Sequence, residues 1–117
     1  IYGDNYDTPD GTGIRDYIHI MDLASAHLCA LNHLIKNNGL NIFNLGTGNG
    51  YSVMEVINTF EEVTGEIIPK VIIQKRKGDV SSCYADPTKA LKILKWRSKM
   101  NLEEMCLSAW NFSKLNQ

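Results

Sequence analysis

Cysteine is scarce in this chain: Cys29, Cys83 and Cys106 are the whole supply. An odd number without C-x-x-C spacing argues against both a disulfide framework and a zinc site, and free thiols suit a reducing compartment, so a cytoplasmic protein is expected. His19, His27 and His33 lack H-x-x-x-H spacing and an acidic partner close in sequence, which leaves them as core or surface residues with no metal to hold. Long apolar runs are missing too. None approaches the roughly 18 residues of a membrane span, and no charged stretch followed by an apolar one opens the chain, so no membrane partner is expected. Charge of one sign is also lacking: 12 Lys and Arg against 13 Asp and Glu leave a net charge of -1. That balance gives no global attraction to nucleic acid, and any polyanion site must be local.

What remains has the composition of a folded protein, 44% hydrophobic and 21% charged over 117 residues. One domain, or part of one, is the bound, since domains commonly run about 100 to 150 residues. The chain opens on Ile1 rather than Met, which leaves room for a longer protein. Strand-type and helix-type patterns alternate without repeats or linkers, predicting the α/β class. Residues 10–13 (DGTG) read as a loop, and residues 15–20 (RDYIHI) alternate as a half-buried strand does. Asp22 reads as the N-cap of a helix carrying Leu23, Ala26, Ala30, Leu31 and Leu34 at helical spacing, ended by Asn37-Asn38-Gly39. A strand over residues 41–45 leads to a helix whose Val53, Val56, Ile57, Phe60 and Val63 face a core and which stops at Thr64-Gly65. A strand over residues 67–73 follows. Asp86-Pro87 supplies an N-cap and a first helical proline for a helix packing Ala90, Leu91 and Leu94, and Asn101 with Glu104 caps a last helix through Met105, Ala109 and Phe112. The predicted order is β-α-β-α-β-α-α.

Residues 41–56 (NIFNLGTGNGYSVMEV) combine an apolar strand, three glycines and a helix start, with Ser52 and Glu55 spaced as a capping box. A helix start of this kind can hold phosphate through free N–H groups. The dinucleotide fingerprint, however, needs G-x-G-x-x-G, and the third glycine here comes one residue early; the acidic residue about 20 positions on, Glu66, precedes the next strand instead of ending it. A tight strand-to-helix turn that lets the helix approach a sheet is the better reading. The polar cluster Lys75-Arg76-Lys77-Gly78-Asp79 follows an apolar segment directly. Such a run is either a solvated strand end or a phosphate clamp, in which arginine offers a planar fork of donors, Gly78 admits a ligand close to backbone and Asp79 accepts bonds from sugar hydroxyls. Arg15, beside the glycine loop, can approach the same anion from another side. Cys29, Cys106, Trp96 and Trp110 read as packing residues.

At residues 10–27 (DGTGIRDYIHIMDLASAH) the chain closely resembles the UDP-glucose 4-epimerase family of extended short-chain dehydrogenases/reductases, and the segments NIFNLGTGNGYSVMEV, KRKGD, YADPTKALKILKW and LEEMCLSAWNF follow in the family's order. The resemblance implies the C-terminal substrate-binding part of such an enzyme, including elements that complete its Rossmann-type domain, over residues 1–117 as a whole. The family's N-terminal G-x-x-G-x-x-G and its Tyr-x-x-x-Lys pair are absent here, so no catalytic residue is assigned and NAD is expected to be bound by an N-terminal domain outside the chain. The implied full-length enzyme interconverts UDP-glucose and UDP-galactose through a 4-keto intermediate, as a homodimer. The implied substrate-binding residues are Arg15 and Arg76 on the diphosphate, Asp79 with Gly78 at the ribose, and Cys83 lining the sugar pocket, where a cysteine in place of a tyrosine leaves room for N-acetyl sugars. Tyr17 and Val53 lie near this group. A related nucleotide-sugar enzyme and a non-catalytic nucleotide-sugar-binding module are the rival readings.

Overall fold

The computed structural model describes residues 1–115. Its elements run β1 (Ile14–Arg15), α1 (Ile20–Lys36), β2 (Tyr51–Ser52), α2 (Val53–Thr64), β3 (Ser82–Cys83), α3 (Thr88–Leu94) and α4 (Leu102–Leu115). The order matches the predicted one, but the strands are shorter, and the second and third lie on segments other than the predicted ones. β1 is the centre of a three-stranded sheet, antiparallel to β2 with Ile14 opposite Ser52, and parallel to β3 with Arg15 opposite Cys83.

The strand expected over residues 15–20 stops after Arg15, because the next side chains bond elsewhere. Asp16 accepts N–H groups from a separate turn. His19, rather than Asp22, is the N-cap of α1, its Nδ1 accepting from the Met21 N–H at 3.0 Å. Asp22 lies inside the first turn, buried, and its Oδ2 accepts from the N–H groups of Lys99 and Met100 at 2.8 and 2.9 Å, tying α1 to the chain entering α4. Residues 41–45 run with alternating exposure but carry no strand pairing among the described residues. Phe43 and Leu45 pack on the core while Lys89 donates to the Ile42 carbonyl at 2.7 Å. Of residues 67–73 only the end pairs, Ile73 bridging Tyr2 in parallel.

The helix ends were read more closely. Ser52 and Glu55 form the capping box of α2, and Gly65 closes that helix at φ 72°. Asn101 and Glu104 exchange 2.8 Å bonds at the start of α4. Asp86 accepts from the Thr88 N–H, but Pro87 is itself the cap residue, so the cap and the helix start lie one place later than predicted.

The core has Ala26 of α1 against Ala90 and Leu94 of α3, closed by Trp96, whose indole N–H donates to Ser25 at 2.8 Å. Alanines at the crossing let the two helices approach. The expected Leu31 and Leu34 of α1 and Leu91 of α3 are exposed, since among the described residues these helices are covered on their Ala26 and Ala90 sides. Phe60 of α2 meets Trp110 of α4 edge to face at 5.8 Å. On α4 the buried residues are Leu102 and Cys106, not Ala109 and Phe112, which line an apolar groove with residues 17–21. Burial pushes the Cys106 thiol above its ordinary value, as suits a packing residue.

The whole is a slab, 49 × 36 × 20 Å. Its radius of gyration of 16.7 Å exceeds the roughly 13 Å of a compact chain of this length. Its accessible surface of 8282 Å² exceeds the roughly 6,400 Å² expected for a folded monomer of this mass. Apolar side chains are part of that surface, with Leu40, Ile42, Ile67 and Val71 exposed at 90%, 68%, 86% and 72%. No helix among the described residues is long and apolar enough to cross a membrane.

Candidate functional site

Four separate stretches of chain meet at one cavity of about 190 Å³. β1 supplies Arg15, the turn after residue 73 supplies Arg76 and Asp79, the opening residues supply Tyr2 and Tyr6, and Val53 closes it from the first turn of α2. Gly3 lets the opening stretch cross the turn: at φ 90°, an added Cβ would lie 2.4 Å from Lys75 Cγ. Residues that sequence chemistry singled out 61 positions apart, Arg15 and Arg76, thus converge.

Asp79 is where they converge. Arg76 donates through Nε to Asp79 Oδ2 at 2.9 Å, and Arg15 Nη2 lies 4.0 Å from Oδ1. The Tyr6 hydroxyl also donates to Oδ2, at 3.5 Å. The Arg15 fork is further aimed by bonds to the carbonyls of Ile14 at 2.7 Å and Val80 at 3.0 Å. Arg76 stacks on the Tyr2 ring with its guanidinium carbon 4.5 Å from the centroid, which holds a 61% exposed side chain over the cavity through cation–π attraction. Tyr17 also lines the cavity. Burial raises its phenol above the ordinary value against the opposing charge of Arg15. Two guanidiniums sharing one carboxylate carry surplus positive charge, which suits a polyanion.

The other expected residues are placed differently. Gly78 does not line the cavity; it supplies the positive φ, 89°, of the turn that presents Asp79. Cys83 is exposed on β3 and lines an adjoining groove of about 610 Å³ that shares Arg15 and includes Phe43, Tyr84 and Asp86. Tyr2 and Tyr6 were not singled out from sequence. Nothing local marks them, since the site groups they meet, Arg76 and Asp79, lie more than 70 positions away.

The glycine turn is not a phosphate cradle. The Val53 N–H donates to the Gly13 carbonyl, the Met54 N–H to Thr12 Oγ1 and the Glu55 N–H to Ser52 Oγ, so the first turn of α2 has no N–H left for a ligand. Ser52 donates to Asp10, whose carboxylate also accepts from Thr12 N–H and Oγ1. Burial pushes the Asp10 carboxyl up, but the bonds from Ser52 and Thr12 outweigh it and hold it below its ordinary value. A negative charge thus already occupies the helix start. Gly46 and Gly50 serve close packing: a Cβ on either would lie 2.4 Å from Asp16 Oδ2 or from Ile14 Cγ2. These residues do not fit the pyrophosphate of a dinucleotide cofactor.

Residues 1–108 match the GDP-mannose 4,6 dehydratase family. The UDP-glucose 4-epimerase of Bifidobacterium longum is 48% identical over 99% of this chain and 34% of its own length. Its structure, in complex with NAD+ and UDP, superposes with a TM-score of 0.92 over the same shares. The UDP-glucose 4-epimerase of Bacillus subtilis is 46% identical, again over 99% of this chain and 34% of the relative. The structure of the UDP-Glc/GlcNAc 4-epimerase of Campylobacter jejuni, 43% identical, superposes with a TM-score of 0.84 over 98% of this chain and 35% of that one. The chain spans about a third of the length of the curated relatives it matches. It belongs to the GDP-mannose 4,6 dehydratase family, and it is similar to one portion of the UDP-glucose 4-epimerases.

Proposed function

We propose that this chain is the C-terminal, substrate-binding portion of an NAD-dependent UDP-glucose 4-epimerase that interconverts UDP-glucose and UDP-galactose in the cytoplasm as a homodimer. The observation that carries the reading is the meeting of Arg15 and Arg76, from separate elements, at one small cavity. A cavity of about 190 Å³ is smaller than the roughly 300 to 1,000 Å³ of a typical ligand pocket, so it takes only part of a nucleotide-sugar. The diphosphate lies between the two arginines, and Asp79 accepts from the ribose hydroxyls. The sugar extends past Arg15 into the adjoining groove of about 610 Å³, where Cys83 stands.

This division suits an epimerase. The sugar must change its presented face while the nucleotide stays anchored, so strong charge-assisted contacts belong on the diphosphate and a roomy, weakly binding groove belongs on the sugar. Each arginine contact contributes about 1.5 to 3 kcal/mol. NAD is held by an N-terminal domain outside this chain, and the groups that move protons lie there as well. The apolar surface on the slab is where that domain docks.

Arginine and lysine substitutions in the full-length enzyme test the clamp. Arg76→Ala should raise the UDP-sugar KM or Kd by about tenfold or more, and Arg76→Lys should recover only part, because a point charge replaces a planar fork. Lys77 is exposed and lines neither cavity nor groove. Lys77→Ala should change the KM by less than about twofold, as a solvated charge does. A larger effect at Lys77 than at Arg76 would show that the clamp is wrongly assigned.

A further inference from the structure

Asp16 follows Arg15 directly but does not line the Arg15–Asp79 cavity. Its carboxylate takes four hydrogen bonds. Oδ1 accepts from the Thr47 N–H at 2.9 Å and the Thr47 hydroxyl at 2.7 Å. Oδ2 accepts from the Gly48 N–H at 3.0 Å and the Ala85 N–H at 3.2 Å. The donors belong to two segments, the glycine turn and the stretch leaving β3.

The β1–β3 ladder is only two residue pairs long and ends at Arg15 opposite Cys83. A ladder this short does not fix its own geometry. Beyond it, the next tie between the segments is the bond from Ala85 to Asp16. The Arg15 fork depends on that geometry, since one of its bonds reaches across to Val80 just before β3. We propose that Asp16 is a positioning residue. Its carboxylate seats the end of β1 on the glycine turn and on the exit from β3, and so aims the Arg15 guanidinium at the bound diphosphate. This rests on the reading of the cavity as the UDP site.

All four partners of Asp16 are donors, so an acceptor-only carboxylate is required. Asparagine keeps one acceptor oxygen for Thr47 and turns an NH2 toward the N–H groups of Gly48 and Ala85. Gly46 provides an independent handle, because a Cβ there would lie 2.4 Å from Asp16 Oδ2 and 2.7 Å from Ala85 Cβ and would push the carboxylate out of place.

The test is UDP affinity by titration calorimetry in the full-length protein carrying this chain. Asp16→Asn and Gly46→Ala should each weaken UDP binding by about tenfold, comparable with Arg15→Ala. Asp16→Asn combined with Arg15→Ala should bind hardly less well than Arg15→Ala alone, while Asp16→Asn combined with Arg76→Ala should show the product of the single effects. Thr47→Ala, which removes one donor, should weaken binding by about threefold and serves if Asp16→Asn does not fold. The proposal is overturned if the Asp16 or Thr47 variants bind UDP as the parent does. It is equally overturned if Asp16→Asn multiplies with Arg15→Ala, or couples as strongly to Arg76 as to Arg15, the signature of general damage to the fold. If instead Arg15→Ala and Arg76→Ala themselves leave UDP affinity unchanged, the UDP site fails and this role fails with it.

Discussion

Arg15 and Arg76 present the same fork of donors under different restraints. Arg15 is held by carbonyls on either side of its strand, whereas Arg76 is held by a carboxylate and an aromatic face. Both were legible in the sequence, because a guanidinium beside a glycine and an aspartate is unusual chemistry wherever it folds. Tyr2 and Tyr6 were not, since their meaning comes from contacts 74 and 73 positions away. Cys83 is intermediate: its exposure on the Arg15 groove is structural, and the specificity role proposed for it rests on volume. In the full-length enzyme, Cys83→Tyr is expected to abolish turnover of UDP-N-acetylgalactosamine by steric exclusion while leaving UDP-galactose turnover within about threefold, since the thiol supplies no bond the reaction needs. Parallel assays of the two substrates check this. Equal loss of both, or a parent enzyme inactive on the N-acetyl sugar, would remove Cys83 from the specificity pocket.

Among the elements, helix ends were more legible than strands. A cap is local: Ser52 with Glu55 and Asn101 with Glu104 lie three residues apart, and each pair forms as written. Strand pairing is not local, and the strands expected at 41–45 and 67–73 gave way to two-residue strands at 51–52 and 82–83 beside the one at 14–15. β-type alternation reports a half-buried face, and Phe43 and Leu45 achieve that on helices without a ladder. The start of α2 makes a quantitative expectation possible. Ser52→Ala should cost about 1 kcal/mol of stability, the ordinary value of a lost N-cap. Because the folded-state pKa of Asp10 lies below its ordinary value, its contribution is present above the ordinary carboxylate range and is lost as pH falls through the lowered folded value. Denaturant melts of the parent and of Asp10→Asn should therefore differ near neutrality and converge in acid. The difference should be small, since Asp10 is exposed to solvent.

At the scale of the whole molecule, the accessible surface lies roughly 1,900 Å² above that of a compact monomer, more than twice the roughly 800 Å² that one partner contributes to a standard protein interface. Leu40, Ile42, Ile67 and Val71 are part of that exposed surface, and contiguous exposed apolar patches mark interfaces. The alternation of strand-type and helix-type patterns carries the α/β class, but composition carries no sign of this surface, because the fraction of apolar residues is ordinary and only their placement is not. The 117-residue chain alone should bind apolar dyes, melt without a sharp transition and show no epimerase activity with added NAD. The direct measurement is a chimera in which the matched third of the Bifidobacterium longum epimerase is replaced by this chain, assayed for interconversion of UDP-galactose and UDP-glucose beside its Arg76→Ala variant. The predicted result is turnover by the chimera, with a KM raised about tenfold or more in the variant. A folded, NAD-loaded chimera that neither binds UDP nor turns over, or a variant with unchanged KM, would contradict the assignment of this chain as the UDP-sugar-binding portion of an epimerase.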